Sequence, residues 1–320
     1  MGPTHRGKPG GTDRLVVRTY PPGGLRAQAA LPGLGPAQVR WRRVYDLFSR
    51  YYQDIFPPGA AQLAFLREVA RQVGACTFLD AGCATGAYTR AAASWGLAAT
   101  GIDLEPAMIE EARSQGPPQV HYAVADLTAL PFEDGSFDMV VCLGNTLAHV
   151  LEFASLQRAL DGFGRVLSPR GALVLQLVNY HRVKADPEYV FPVLASTDGN
   201  VIFRRRYRRR GDGLYSFATS LQVGRQQVDG ASPVRPWRQE EIIAALAPAG
   251  FSRWHSFGDF GRSSYSASAS ALGGTGRPPR TIAAGASRSP GQGSCLAGSG
   301  GARRDRRVTP AACRPGIAVG

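Results

Sequence analysis

The chain has 320 residues and a formal net charge of +13, and its length suits one large domain with a lid and tails. No apolar run approaches the roughly 20 residues of a membrane span, which argues against a membrane partner. The N-terminus lacks the apolar core of a secretory signal, so we expect a cytoplasmic protein.

The positive charge is concentrated at the two ends of the chain. Residues 1–43 and residues 272–320 each carry a net charge of +7, which leaves −1 for residues 44–271. Because the central part is not basic, the overall charge does not indicate a nucleic-acid partner. The five cysteines show no Cys-x-x-Cys or Cys/His spacing, so we expect no metal site.

The N-terminal part of the chain divides into a disordered segment and two helices. Residues 1–40 are rich in Gly, Pro and Arg and have no sustained period, so we predict a disordered basic segment. Apolar residues then recur at helical spacing over 41–56, until Pro57 and Pro58 end the helix. A second helix is predicted over Ala60–Val73, with Gly74 at its end.

Strands and helices alternate regularly in the next part of the chain. Helices are predicted from Ala87, Pro106 and Phe153. Strands are predicted at Thr77–Asp80, Ala98–Asp103, Val120–Ala125, Phe137–Leu143 and Ala172–Val178. This alternation predicts a doubly wound α/β fold with a mostly parallel sheet and right-handed crossovers.

After Tyr180 the pattern changes to strands separated by glycine-containing turns. These strands are predicted at Tyr189–Leu194, Asn200–Arg210 and Leu214–Val223. They indicate an antiparallel insert or lid over about 185–230. A helix from Pro236 to Ala249 and a strand at Phe251–Phe257 end a domain that we place at 41–262.

The last part of the chain, 263–320, is rich in Gly, Ser, Pro and Arg. Its only candidate strand is a poor one at Thr281–Ala284. We therefore expect a disordered tail, because such residues bury too little apolar area to offset the entropy of ordering. From about residue 268 the composition resembles a GC-rich reading frame translated out of register, so both a frameshift and a genuine tail stay open.

The segment Phe78–Gly86, FLDAGCATG, joins the first predicted strand to the helix that follows. Gly82 and Gly86 allow a sharp turn and a close approach of the backbone to a ligand. The spacing does not fit the G-x-G-x-x-G dinucleotide pattern, and no G-x-x-x-x-G-K phosphate loop is present. With Asp80 it matches D-x-G-x-x-x-G, and in this motif the chain resembles the class I S-adenosylmethionine-dependent methyltransferases.

The resemblance implies a seven-stranded-type, Rossmann-like sheet, S-adenosylmethionine as methyl donor, S-adenosylhomocysteine as product and no metal. Three acids stand at successive strand ends, where it implies contacts with the donor's amino group (Asp80), ribose (Asp103) and adenine (Asp126). The implied donor-binding set is Asp80, Gly82, Cys83, Ala84, Gly86, Asp103, Leu104, Met108, Asp126, Leu127 and Leu143. The final strand of that fold lies between the fifth and sixth, and we expect it to be missing here.

The segment Cys142–Val150, CLGNTLAHV, resembles the CLGN-x-x-AH segment of glycine and sarcosine N-methyltransferase-like enzymes. The resemblance places Asn145 beside the acceptor as the first candidate for substrate contact. His149 is either a base or a structural histidine. Asn179 and Tyr180 match the N-Y pair of the same enzymes, and Tyr180 completes the candidate catalytic set.

The acceptor's identity does not follow from these motifs. Val178 stands where glycine methyltransferases carry an arginine that binds the glycine carboxylate, so we expect poor activity on glycine and better activity on a different or larger molecule. Three tyrosines of the first helix, Tyr45, Tyr51 and Tyr52, either close over the site, as the resemblance implies, or pack in the core.

The run Arg204–Arg210, RRRYRRR, is the most basic part of the predicted insert. On a strand, Phe203, Arg205, Tyr207 and Arg209 share one face, and the intervening arginines share the other. A solvated hairpin with charged edges is the simplest interpretation. RNA binding and recognition of an anionic acceptor are alternatives, and one of these arginines could replace the missing carboxylate clamp.

The sequence therefore predicts an enzyme that transfers a methyl group to a nucleophilic N or O atom of a small molecule by in-line displacement. One alternative is an RNA methyltransferase that uses the arginine hairpin, although the N/D-P-P-Y/F motif and a basic core are missing. The other is an S-adenosylmethionine-binding protein that is impaired in catalysis.

Overall fold

The computed structural model describes residues 47–183, 187–196, 198–266 and, for the backbone alone, 271–277. No helix within these ranges is long and apolar enough to cross a membrane. The helices are α1 (47–55), α2 (Ala60–Val73), α3 (Ala87–Ser94), α4 (Pro106–Gln115), α5 (Phe153–Val166) and α6 (Gln239–Leu246), with a 3-10 helix at Thr146–His149.

The strands form two sheets. The strands of the first sheet are β1 (Thr77–Ala81), β2 (Ala98–Asp103), β3 (His121–Val124), β4 (Phe137–Cys142), β5 (Leu167–Val178), β11 (Arg253–Phe257) and β12 (Ala271–Arg277). Those of the second are β6 (Glu188–Val190), β7 (Leu194–Ala195), β8 (Val201–Arg209), β9 (Tyr215–Val223) and β10 (Gln226–Val234).

The first sheet has the order β11-β12-β5-β4-β1-β2-β3. Strands β5, β4, β1, β2 and β3 are parallel to one another, whereas β12 is antiparallel to both β5 and β11. The predicted doubly wound, mostly parallel sheet is therefore confirmed. The order changes direction at β1, and in such sheets ligands bind at the carboxyl ends of the strands beside that point.

Helices cover both faces of this sheet. Successive strand residues point to opposite sides, and the apolar residues on each side are buried against helices. On one side Leu79 belongs to a buried cluster with residues of α5 and α6, such as Phe163 and Leu246. On the other side Phe78 belongs to a cluster with residues of α2 and α3, such as Leu66. Both faces of the strands are therefore buried in the core, and the carboxyl ends of the strands are the places where a ligand can bind.

The expectation that the final strand is missing, with disorder from about residue 272, is wrong for residues 271–277. The backbone of β12 pairs with β5 on one side, Ala271 opposite Val178, and with β11 on the other, Arg277 opposite Arg253. The sequence ALGGTGR contains three glycines and has low strand propensity, so local sequence does not predict a strand here. Pairing on both edges gives its backbone groups partners that propensity does not count. Thr281–Ala284 and the rest of the tail lie outside the described residues.

The second sheet, which forms the predicted antiparallel insert, has the order β10-β9-β8-β6, with β7 also paired to β8. Its longest strands are β8, β9 and β10. The sequence did not predict β10, whose Asp229, Gly230 and Pro233 disfavour strands. Within the described residues β10 is an end strand of this sheet, a position where proline is tolerated.

Candidate active site

The glycine loop follows β1 and turns sharply back against β2. Its backbone enters the left-handed region at Gly82 (φ +83°), Ala84 (φ +48°) and Gly86 (φ +76°). The N–H groups of Gly82 and Cys83 both donate to the carbonyl oxygen of Ile102, at 2.8 and 2.9 Å. The loop is therefore held at the carboxyl end of β2.

Space around this loop explains why glycine is needed there. A Cβ on Gly82 would lie 2.5 Å from Cγ2 of Thr146, which is the first residue of the 3-10 helix after β4. A Cβ on Gly86 would lie 2.5 Å from the phenolic oxygen of Tyr122. The loop is thus wedged between β3 and the segment after β4.

Asp103 ends β2 and its carboxylate holds the glycine loop. Its two oxygens accept hydrogen bonds from the backbone N–H of Ala84, at 2.9 Å, and of Glu105, at 3.0 Å. Burial raises the pKa of the Asp103 carboxyl, and these bonds partly oppose that rise. A carboxylate has about four lone-pair sites, so this group retains capacity for a further donor.

Asp80 lies deeper, on β1, with only 1% of its surface exposed. The hydroxyl of Thr89 donates to one carboxylate oxygen at 2.8 Å. Burial raises the pKa of Asp80 to about 7; the charge of Asp103 adds to the rise and the Thr89 bond opposes it. Burial also raises the pKa of the free thiol of Cys83. Two acids of raised pKa therefore flank one loop, which is typical of ligand sites.

Four apolar residues of the predicted donor set lie around the acids. Met108 on α4 belongs to a buried cluster that also contains Ala84, and Leu143 is buried just after β4. Leu104 and Leu127 are half-buried, which leaves part of each side chain accessible.

Asp126 differs from the other two acids because it is exposed. One of its carboxylate oxygens accepts hydrogen bonds from the backbone N–H and the hydroxyl of Thr128, both at 2.8 Å. The preceding residue, Ala125, donates to the backbone oxygen of Asp103 at 3.0 Å, so Asp126 lies beside the end of β2. Its contact with adenine stays a prediction.

The strongest polar cluster of the site is centred on Asn145, just after β4. This residue is 1% exposed and has φ +69°, a region that asparagine tolerates better than most residues. Its side-chain N–H groups donate to the hydroxyls of Tyr180, at 3.0 Å, and Tyr207, at 3.1 Å. Its side-chain oxygen accepts from the backbone N–H of Val178 at 2.9 Å.

Gln176 on β5 supports this cluster from below. Its side-chain oxygen accepts from the N–H of Gly144 at 2.6 Å, and its backbone oxygen accepts from the N–H of Asn145 at 3.1 Å. The turn after β4 is thus fixed to β5 by both side-chain and backbone bonds. A single Gln in the apolar strand LVLQLV is a sequence feature that could have identified this support.

Tyr207 joins this polar cluster and is the candidate residue that the sequence analysis did not include. Its hydroxyl lies 3.3 Å from that of Tyr180. Burial raises the pKa of Tyr180 to about 12 and also raises the pKa of Tyr207. Both phenols are therefore neutral at neutral pH and act as hydrogen-bond groups. The alternation within the arginine run, which places Tyr207 on the inward face, could have identified it.

His149 is the last residue of the 3-10 helix that begins just after Asn145. Its ring lies 6.5 Å from the ring of Phe217 on β9. Tyr52 of α1 is buried against Phe48 and Phe56, at ring distances of 5.3 and 5.2 Å, which favours the packing role for this tyrosine. Tyr51 is half-buried, and Tyr45 lies outside the described residues.

The arginine run lies on β8 with the predicted alternation. Phe203, Arg205 and Tyr207 are buried, whereas Arg204, Arg206, Arg208 and Arg209 are exposed. Glu188 pairs with Arg206 at 3.4 Å and with Arg208 at 3.2 Å. Among the described residues, no group of three or more His, Cys, Asp or Glu side chains is placed to hold a metal ion.

Part of the central sheet is similar to a known protein family. Residues 79–175 match the family model described as a methyltransferase domain. The demethylmenaquinone methyltransferase of Tropheryma whipplei (strain Twist) is 35% identical over 153 residues, which are 42% of this chain and 61% of that protein. The chain thus spans less than two thirds of this relative's length.

Solved structures agree on the fold. An S-adenosylmethionine-dependent methyltransferase from Clostridium acetobutylicum ATCC 824 has a TM-score of 0.63 at 17% identity, covering 73% of this chain and 99% of that one. The S-adenosylmethionine-bound CalS10, an amino pentose methyltransferase from Micromonospora echinaspora, has a TM-score of 0.57 at 22% identity, covering 72% and 96%.

Proposed function

Because this chain contains a methyltransferase domain with the class I S-adenosylmethionine-dependent methyltransferase fold, we propose that it transfers a methyl group from S-adenosylmethionine to a nitrogen or oxygen atom of a small molecule. One observation carries the proposal. The glycine loop that Asp103 holds abuts Thr146, and the next residue back, Asn145, is the centre of a buried polar cluster. A donor site and an acceptor site therefore adjoin.

The residues around the loop fit S-adenosylmethionine, which when bound supplies a methyl group on a positively charged sulfur. Asp103 would accept from the two ribose hydroxyls with the lone pairs that remain after its backbone bonds. Asp80 would face the donor's amino group, and ionisation of its carboxyl would then be favoured by that positive charge. Met108 and Leu104 would pack on the adenine, with Asp126 at its edge.

The acceptor would be held by Asn145, Tyr180 and, in addition to the predicted set, Tyr207. Their amide and neutral hydroxyl groups can donate to or accept from an acceptor atom and fix its lone pair toward the donor. Burial of this cluster excludes competing water. Such positioning can be worth about 7–11 kcal/mol of a bimolecular barrier, so no metal or strong base is required.

Two further considerations support a small acceptor. The names of the relatives refer to a demethylmenaquinone and to an amino pentose, which are small molecules. In addition, two of the exposed arginines that suggested RNA are paired with Glu188. RNA phosphates would have to compete with Glu188 for these arginines, whereas a small acceptor at Asn145 would not.

Calorimetric titration with S-adenosylmethionine and S-adenosylhomocysteine tests the donor half of the proposal. A methyl-release assay against a library of amines, phenols and carboxylates tests the acceptor half, with a structured RNA pool as a separate arm. We expect donor binding in the micromolar range and turnover in the small-molecule arm. Turnover of RNA alone would refute the acceptor class, and absence of donor binding would refute the proposal.

A further inference from the structure

Helix α1 shares a buried cluster with the glycine loop. Tyr52, on this helix, and Phe56, just after it, belong to the cluster that also contains Ala84 of the loop and Met108 of α4. The two aromatic residues are 3% and 2% exposed. Residues of β8 and β9 complete the cluster, so the apolar side of α1 is buried together with the loop and the second sheet.

Ala84 adopts a backbone conformation that suits glycine better. Its φ of +48° lies in the left-handed region, which residues with a Cβ atom disfavour. The alanine side chain is nevertheless buried in the cluster that contains α1, where a glycine would contribute no side chain at all. The loop therefore accepts backbone strain at a position that shares a cluster with α1.

A polar link between α1 and the glycine loop runs through Arg90 on α3. Its guanidinium donates to the backbone oxygen of Thr85 in the loop, at 2.5 Å, and to the side-chain oxygen of Gln53 on α1. It also donates to the side-chain oxygen of Gln115 on α4, at 3.0 Å. A planar guanidinium with five N–H donors suits a junction of this kind. Arg90 thus joins α1, the loop and α4 through one side chain.

This junction adjoins the residues that would bind the donor. Thr85 directly follows Ala84, whose N–H donates to the carboxylate of Asp103 at 2.9 Å. Asp103 is the group proposed to hold the ribose, and Met108 is one of those proposed to pack on the adenine. A change at Arg90 would therefore act on the donor through the backbone of the loop and the docking of α1.

We propose that Arg90 is a positioning residue for donor binding, which couples α1 to the glycine loop so that the donor binds tightly only when α1 is docked. This inference rests on the donor half of the proposed function. Coupling between two binding events is reciprocal, so a bound donor must in turn hold α1 on the loop. Loss of the Arg90 side chain should weaken both.

Two measurements on the full chain test this coupling. Calorimetric titration with S-adenosylhomocysteine gives the dissociation constant of the donor site. Trypsin cleavage after Arg50, an exposed residue of α1, is followed by mass spectrometry with and without S-adenosylhomocysteine and reports undocking of the helix. Cleavage after Arg158, an exposed residue of α5, reports global unfolding in the same samples.

The variants are Arg90→Met, Arg90→Lys, Gln53→Leu and the double variant of Arg90→Met with Gln53→Leu. The matched control is Arg113→Met. Arg113 lies on α4 and donates to the backbone oxygen of Tyr122 on β3 at 2.7 Å. Its replacement also removes a bond from an arginine to a backbone carbonyl, but it leaves the link between α1 and the loop intact.

We expect Arg90→Met to weaken S-adenosylhomocysteine binding by about fivefold or more, which is the lower end of typical coupling between sites, and to speed cleavage after Arg50. Gln53→Leu should act in the same direction, and its effect should disappear in the double variant because both residues serve one link. Arg90→Lys should retain part of the affinity and Arg113→Met all of it. In the wild type, S-adenosylhomocysteine should slow cleavage after Arg50.

Equal affinity for S-adenosylhomocysteine in wild type and Arg90→Met would overturn the inference. So would weaker binding with Arg50 still as protected as in the wild type, or equal losses of affinity in Arg90→Met and Arg113→Met, because these results indicate a general structural role. If faster cleavage after Arg158 shows that Arg90→Met unfolds, Gln53→Leu decides, and unchanged affinity in that variant overturns the inference. Absence of binding by the wild type would refute the proposed function itself, whereas binding that does not depend on Arg90 refutes this inference alone.

Discussion

Replacement of Asp80 by Asn should make the protein more stable at neutral and alkaline pH. The carboxyl is 1% exposed and its pKa is raised by burial to about 7, from an ordinary value of 3.8. The folded state therefore keeps a proton on Asp80 over a pH range in which the unfolded state has lost it. The contribution of the protonated Asp80 carboxyl to the free energy of unfolding is therefore complete below about pH 4. It is lost progressively as the pH rises to about 7.

The expected size follows from that interval. At about 1.4 kcal/mol per pH unit, a pKa of about 7 against 3.8 corresponds to about 4 kcal/mol in total. Between about pH 5 and about pH 8 the wild type should lose 2 to 3 kcal/mol of this amount. Asn is neutral at every pH and can still accept the Thr89 hydroxyl, so the Asp80→Asn variant should not show this loss.

Urea unfolding of both proteins at intervals between about pH 5 and pH 8 measures the difference directly. The variant should be the more stable protein across this range, and the gap between the two free energies of unfolding should widen by about 2 to 3 kcal/mol from the acid end to the alkaline end. Asp126→Asn, which removes an exposed acid, controls for the change in net charge. Parallel curves for wild type and Asp80→Asn would refute the reasoning. The variant should also bind S-adenosylhomocysteine more weakly, so stability and ligand affinity change in opposite directions.

Three other substitutions test other parts of the structure. Asp103→Ala should weaken S-adenosylhomocysteine binding in calorimetry by about 100-fold or more, because two charge-assisted hydrogen bonds are worth about 1.5–3 kcal/mol each, and unchanged affinity would contradict the ribose assignment. Tyr207→Phe removes the hydroxyl that accepts a hydrogen bond from Asn145, so the methyl-release assay should show a reduced kcat with donor affinity unchanged within about twofold. An unchanged kcat would contradict the proposed role of Tyr207 in holding the acceptor. Gly274→Pro in β12 should destabilise the protein by about 1–3 kcal/mol in thermal unfolding, because proline removes a backbone donor from a strand that is paired on both edges. The control is Gly285→Pro, for which we expect no change in melting temperature. Equal melting temperatures for the two variants would show that β12 does not contribute to stability.

The conformation of the glycine loop could be predicted from the sequence because its determinants are local. Gly82 and Gly86 are needed for left-handed backbone, and Asp103 follows a buried strand at a fixed distance along the chain. Each of these features is visible within a few residues. The structure added what lies across from them, namely Thr146 beside Gly82 and the backbone bond from Ala84 to Asp103.

The polar cluster around Asn145 could be predicted only in part because it joins segments far apart in the chain. Asn145 and Tyr180 stand in recognisable motifs, but Tyr207 comes from β8, 62 residues after Asn145, and only the fold brings the two together. The strands β10 and β12 were missed for a related reason. Their Gly, Pro and Asp content disfavours strands locally, and only pairing with distant strands stabilises them.

The place of β12 between β5 and β11 also matters while the protein is being synthesised. Chains begin to fold from the N-terminus as they are made, so β5 is exposed to solvent long before residues 271–277 leave the ribosome. During that time β5 presents an open edge of backbone donors and acceptors, and such edges pair with other chains. We therefore expect nascent chains halted before residue 271 to aggregate or to be held by chaperones, and the yield of folded protein to depend on how quickly β12 is synthesised.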